Sequence, residues 1–99
     1  MGHSNIFLAV ECGASNTVAA IFDSGGNVMG MGFSGSSSHH VISIRKVKEN
    51  LLLSIKNAFS SAGMREHFLE SGCFGVAALD TKQDFEIFTN LLRELNVVK

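Results

Sequence analysis

The residues able to do chemistry sit at the ends of short apolar runs. Glu11-Cys12-Gly13-Ala14-Ser15-Asn16 joins the runs Ile6–Val10 and Thr17–Phe22. A connector this bare lets backbone N–H groups approach a bound group closely, and phosphate is the usual beneficiary. The same composition also makes an ordinary β-hairpin turn. A second carboxylate, Asp80, follows the apolar run Cys73–Ala78. A carboxylate at the end of such a strand lies at the carboxyl edge of the sheet, where open α/β sheets bind ligands. Asp80 serves equally well as a helix N-cap, which alone explains an Asp there. Between these two places runs Gly35-Ser36-Ser37-Ser38-His39-His40. By itself it reads as a polar, flexible connection with two solvated histidines.

The elements that must position these groups follow from periodicity. Ile6–Val10 is apolar on both faces and reads as a central strand. Thr17–Phe22 is a second strand, and Asp23-Ser24-Gly25-Gly26-Asn27 is a strong hairpin turn. A third strand, Asn27–Ser34, alternates Val28, Gly30 and Gly32 with Met29, Met31 and Phe33. Glycines on one face either weaken that strand or admit a close neighbour. From Ile42 to Ala62, the residues Ile44, Val47, Leu51, Ile55, Ala58, Phe59 and Ala62 mark one face of an amphipathic helix. Arg45, Lys46 and Lys48 belong to its solvated face, and Gly63 is the expected left-handed stop. Cys73–Ala78 reads as a short buried strand that a right-handed crossover sets parallel to the first. Thr81 and Asp84 resemble a capping box, after which Phe85, Phe88, Leu92 and Leu95 mark a second amphipathic helix. Asn96-Val97-Val98-Lys99 looks like the opening of a fifth strand.

The whole chain sets bounds. Its 99 residues make one small domain, and 45% apolar content is enough for one core. A net charge of −1 gives no electrostatic footprint for nucleic acid or an anionic membrane. No apolar run approaches a membrane span, and no secretory signal is visible. Met1-Gly2-His3-Ser4 reads in part as a cloning scar. Cys12 and Cys73 lack CxxC spacing and, with four scattered histidines, do not read as a zinc site. Free thiols in a reducing cytoplasm fit them better. The two are expected to be unpaired, since they stand at opposite ends of neighbouring parallel strands. Proline, tryptophan and internal repeats are all missing, and the lack of proline argues against a disordered linker.

Val10-Glu11-Cys12-Gly13-Ala14-Ser15-Asn16-Thr17, followed by Asp23-Ser24-Gly25-Gly26-Asn27-Val28-Met29-Gly30, resembles the opening of the BadF/BadG-type ATPases. That family includes the N-acetylglucosamine kinases, within the sugar kinase, actin and heat-shock chaperone superfamily. Its opening reads acidic-Gly-Gly-Gly-Thr-Lys/Arg-Thr/Ser, then an Asp-x-x-Gly turn and a Val-x-Gly-x-Gly strand. Glu11 falls on the acidic position, Gly13 on the second Gly and Thr17 on the final hydroxyl. Cys12 and Ala14 replace Gly, Ser15 replaces Thr, and Asn16 replaces the basic residue, which removes a positive charge from the phosphate loop. Gly75-Val76-Ala77-Ala78-Leu79-Asp80-Thr81 resembles the family's Gly-Leu-Ala-Gly-Val-Asp-Thr. The Ser37-Ser38-His39 stretch resembles the family's Ser-Thr-Asn-His, with Ser38 on the Asn position and His39 on the His.

This resemblance implies a ribonuclease-H-like βββαβα core: an α/β fold whose mixed sheet has three antiparallel strands and one parallel strand, cut at the start of a fifth. It implies ATP and Mg²⁺ as cofactors, held by Glu11, Gly13, Ala14, Ser15, Asn16 and Thr17, with Glu11 on the metal side. A small sugar would be held by Ser37, Ser38, His39 and Asp80, with Asp80 the base that accepts the proton of the sugar hydroxyl. Residues 1–99 would be the amino-terminal domain of a cytoplasmic kinase. Its partner domain would supply the second phosphate loop and the adenosine pocket, so the chain is either a truncated piece or a degenerate stand-alone half, inactive alone. The family also includes ATPases that drive electron transfer through an iron–sulfur cluster, so a non-catalytic or activator module is the alternative. Neither cysteine sits in a cluster-ligand pattern, which favours the kinase. A homodimer is a further partnership open to such a half.

Overall fold

A computed structural model describes residues 6–64 and 71–76, together with the helical positions 82–83, 86–87 and 89–90. Three strands come first: β1 (Ile6–Cys12), β2 (Thr17–Asp23) and β3 (Val28–Ser34). They form an antiparallel meander in which Cys12 pairs with Thr17 and Ala19 with Gly32. Helix α1 (Ile44–Ala62) follows, then β4 (Ser71–Val76), which runs parallel to β1 with Ala9 opposite Cys73 and Cys12 opposite Val76. The order across the sheet is β3-β2-β1-β4, so β1 is central. Only one of its faces is fully buried: Ile6, Leu8, Val10 and Cys12 are buried, whereas Phe7 and Ala9 on the other are half-buried and Glu11 is exposed.

Strand alternation decides what meets the helix. Ile6, Leu8, Val10 and Cys12 of β1 and Thr17, Ala19 and Ile21 of β2 point to one face and are buried. Val47, Leu51, Ile55, Ala58 and Phe59 of α1 complete the core. On β3 the same face carries Gly30 and Gly32, and here the backbones of strand and helix nearly touch. A Cβ on Gly32 would overlap the Ser54 carbonyl and the Ala58 nitrogen, and one on Gly30 would meet the Ala62 nitrogen at 2.5 Å. The glycines of β3 thus admit a close neighbour.

That contact also closes an exposed edge. β3 ends the sheet, and its outward backbone groups would otherwise invite another strand. Instead the Asn57 amide donates to the Phe33 carbonyl at 3.2 Å, and the Met31 N–H donates to the Ser61 hydroxyl at 3.3 Å. Asn57 and Ser61 are one helical turn apart, so a single stripe of α1 serves the strand.

Several boundaries differ from the sequence expectation. The helix begins at Ile44, not Ile42, because Ser43 caps it and accepts the Lys46 N–H at 3.2 Å. Ile44, expected on the buried face, is the first residue of the helix and is 49% exposed. The stop at Gly63 holds, with φ 70° and the Met64 N–H donating to the Phe59 carbonyl at 2.9 Å. Val28 does not share a face with Gly30 and Gly32. A bulge between Ile21 and Phe22 sets Val28 opposite Phe22, and it is 62% exposed. β4 begins at Ser71, two residues before the expected start. Residues 1–5, 65–70, 77–81, 84–85, 88 and 91–99, and with them Asp80, the capping box, the apolar positions Phe85, Phe88, Leu92 and Leu95 expected of a second helix, and the fifth strand, lie outside the described residues.

Candidate functional site

The β1–β2 turn is built by register. Cys12 and Thr17 close the ladder, and the Gly13 N–H donates to the Asn16 carbonyl at 2.9 Å. Ala14, Ser15 and Asn16 form the exposed tip, with Glu11 exposed beside it. Among the described residues, the backbone N–H groups of Ala14, Ser15 and Asn16 have no partner within the chain. Successive unsatisfied N–H groups on a small-residue tip are what an anion needs, so the donors present fit a phosphate. Glu11 is a carboxylate suited to Mg²⁺, which usually keeps most of its waters.

Thr17 points the other way. Alternation sets it on the face of Ala19 and Ile21, and its side chain is 0% exposed. Its hydroxyl lies 2.7 Å from the Gly35 carbonyl and 2.6 Å from the Ser37 hydroxyl. The stretch expected to be a flexible connection is accordingly not one here: Ser37 is 1% exposed and Ser38 is buried. The Ser37 N–H donates to the Gly13 carbonyl at 3.0 Å, which fastens residues 35–38 to the turn. The Asn50 amide of α1 donates to the Ser36 carbonyl at 2.7 Å, and the Ser34 hydroxyl donates to the Asn50 carbonyl at 2.6 Å. A polar segment can be buried only when its backbone groups find such partners. Nothing in a one-dimensional pattern shows that Thr17 and Asn50 supply them.

Ser38 opens a tight turn. Its hydroxyl accepts the His40 N–H at 3.3 Å, and its carbonyl accepts the Val41 and Ile42 N–H groups at 3.1 Å. The His39 and His40 rings lie 4.2 Å apart, with His39 half-buried and His40 exposed.

Cys12 completes the inner side. Burial pushes its thiol up to about 11, against a hydrogen bond from the Ser37 side chain that lowers it, while the neighbouring Glu11 charge raises it further. A thiol held so high is protonated at neutral pH and a poor nucleophile. Among the described residues Cys12 is a free cysteine, and Cys73 is registered against Ala9, three residues away along β1.

The structure thus brings together the residues expected for phosphate and two of those expected for the sugar, Ser37 and Ser38, in one hydrogen-bonded unit. Glu11 and the tip face outward, whereas Thr17 and Ser37 lie beneath. Asp80 follows Val76 by four residues in the chain and lies outside the described residues. The Asn50 side chain is a supporting residue that the helical pattern does not single out, because a polar side chain on the outer face of α1 carries no signal of its partner.

No protein-family model matches the chain, and no curated protein matches it. A solved structure does. A putative N-acetylglucosamine kinase from Chromobacterium violaceum aligns with a TM-score of 0.73 over 87% of this chain, at 20% sequence identity. The alignment spans 30% of that protein's own length. The likeness establishes a fold shared with part of a sugar-kinase-like protein.

Proposed function

We propose that this chain is the amino-terminal domain of an ATP-dependent sugar kinase of the N-acetylglucosamine kinase-like, BadF/BadG type, built on a ribonuclease-H-like core. The observation that carries the reading is the β1–β2 turn: three successive N–H groups without a partner among the described residues, and one exposed carboxylate at the end of a central strand. The fold likeness to a protein described as a kinase of this kind supports it. So does the sheet direction, because β1 and the parallel β4 end at the same edge, and the sequence delivers Asp80 four residues later.

In this reading Ala14, Ser15 and Asn16 receive the phosphates of Mg-ATP and Glu11 stands on the metal side. ATP supplies the phosphoryl group, and this domain orients it. Gly13 and Thr17 hold the turn. Ser37, Ser38 and His39 border the sugar, and Asp80 takes the proton from its acceptor hydroxyl. Positioning of acceptor, base and phosphate is most of what phosphoryl transfer requires of a protein. A second domain supplies the rest of the nucleotide pocket, and the assembled enzyme works in the cytoplasm.

The test is phosphorylation of N-acetylglucosamine by the protein that joins this domain to its partner domain, followed as ADP release. Loss of a positioned base costs roughly 10²–10⁴-fold in rate. Asp80→Asn is expected to lower turnover by that order while sugar affinity stays within about twofold. Turnover near that of the parent protein would return Asp80 to the helix-cap reading.

A further inference from the structure

The buried polar groups beneath the turn form a directed chain. A hydroxyl has one proton and a carbonyl has none. The Thr17 proton therefore goes to the Gly35 carbonyl, 2.7 Å away. The Ser37 hydroxyl then donates to Thr17 Oγ1 across 2.6 Å. With the Thr17 proton committed to the Gly35 carbonyl, the Ser37, Thr17 and Gly35 groups form one continuous hydrogen-bonded run. In parallel, the Ser37 N–H donates to the Gly13 carbonyl at 3.0 Å. Residues 35–38 are thus joined to both arms of the hairpin, at Gly13 on one side and Thr17 on the other.

We infer that Thr17 and Ser37 form a buried clip that locks the 35–38 segment to the β1–β2 turn, so that the two loops hold one relative geometry and a ligand on one is felt by the other. They are positioning residues: their hydroxyls act inside the protein, and the exposed tip and the Ser38–His39 stretch meet the ligands. The structural half stands on the hydrogen bonds alone, whereas the ligand half rests on the phosphate reading above.

Thr17→Val keeps the shape and deletes the central hydroxyl. It strands the Ser37 hydroxyl in a buried site, where a lost partner is costly, and leaves the more exposed Gly35 carbonyl without its Thr17 donor. Native-state hydrogen exchange by NMR reads the result. In Thr17→Val the Ser37 N–H should exchange about tenfold faster, the change expected for one buried hydrogen bond. The Leu51 and Ile55 amides in the middle of α1 should keep their protection. Thr17→Ser retains the hydroxyl and should restore slow exchange, and Ser37→Ala should loosen the Gly13 and Ser37 N–H groups together. Unchanged Ser37 protection in both Thr17→Val and Ser37→Ala would overturn the clip, as would an equal loss across α1. For the ligand half, millimolar Mg-ATP is expected to shift the amides of 14–16 and of Ser37 and Ser38 in the wild-type chain. In Thr17→Val only the turn amides should shift. Shifts that still reach Ser37 in that variant overturn the coupling. A wild-type turn that does not respond to Mg-ATP overturns the phosphate reading instead, and exchange alone then decides the clip.

Discussion

Gly32→Ala should be among the most damaging single-methyl additions to this protein. The new Cβ would overlap the Ser54 carbonyl and the Ala58 nitrogen, with the Asn57 carbonyl carbon 2.9 Å away. All three belong to the helix backbone, so no rotamer change can relieve the overlap. Either α1 retreats from β3 or the strand bends. A retreat opens space around Leu51, Ile55, Ala58 and Phe59, which form the helix side of the core. Overpacking a tight core costs about 1–3 kcal/mol even where flexible side chains share the strain. With rigid backbone on the far side the loss should be at least ~3 kcal/mol, a large part of the 5–15 kcal/mol that holds a typical domain folded. Urea denaturation followed by circular dichroism measures it as a fall in the midpoint. Gly25→Ala is the control, because its Cβ would meet only the Asn27 and Asp23 side chains at 3.3 and 3.4 Å. Ser54→Ala added to Gly32→Ala should bring no rescue, since the obstruction is the Ser54 carbonyl. A Gly32→Ala loss under about 1 kcal/mol, or rescue by Ser54→Ala, would refute close backbone packing as the reason for glycine here.

Other outcomes can be checked directly. Asp23 is held below its ordinary 3.8 by the Asn27 N–H, then by the Asn27 side chain and the Gly25 N–H. Its stabilising effect is therefore present above pH 3.8 and lost as pH falls through the lowered value; an NMR titration placing the carboxyl at or above 3.8 would contradict this. The Cys12 thiol is raised from 9.0 to about 11, so its stabilising effect is full below pH 9 and fades as pH rises towards 11. Peptide-resolved alkylation at pH 8 should label Cys12 slowly in the native chain and quickly in urea, and fast native labelling would count against its burial. Mg-ATP should bind the chain alone with a Kd in the millimolar range or weaker, about −4 kcal/mol. Micromolar affinity by calorimetry would mean that self-association completes the pocket.

The strands and α1 were legible because their signals are local. Alternation gave the meander, three- and four-residue spacing gave the helix, and Gly63 gave its end. The errors share one cause. Ile42 and Ile44 fit the helical period, but the Ser43 cap governs where the helix starts. Val28 fits the alternation of β3, but a bulge set by the partner strand shifts it. The 35–38 segment has the composition of a solvated linker. Its burial depends on Thr17, about twenty residues upstream, and on Asn50, about fourteen downstream. Such contacts carry no periodic signature. The β1–β2 turn was legible as a turn, because small residues stand between two strands, a composition that an ordinary hairpin shares. Thr17 read only as the last hydroxyl of that turn, since its inward direction follows from a strand register that a linear motif does not show.

The geometry of the turn also argues for what else a nucleotide needs. Three N–H donors to a charged phosphate contribute at most about 1.5–3 kcal/mol each. Holding a free ligand costs an estimated 4–15 kcal/mol in lost translational and rotational freedom. These terms nearly cancel, so on the proposed reading the turn would orient a phosphate far better than it would capture one. Asn16 at the tip adds no positive charge, and the nearest ionised side chain of the turn is Glu11, which repels phosphate unless a cation lies between them. Tight capture must then come from contacts to the base and ribose, for which apolar walls are the usual means. The turn has none to give: its exposed tip is Ala14, Ser15 and Asn16. A surface that orients without capturing suits one side of a two-sided cleft. On the proposed kinase reading, the opposite wall would supply affinity, and the Gly13–Ser37 and Thr17–Ser37 links would keep the phosphate and its acceptor in register.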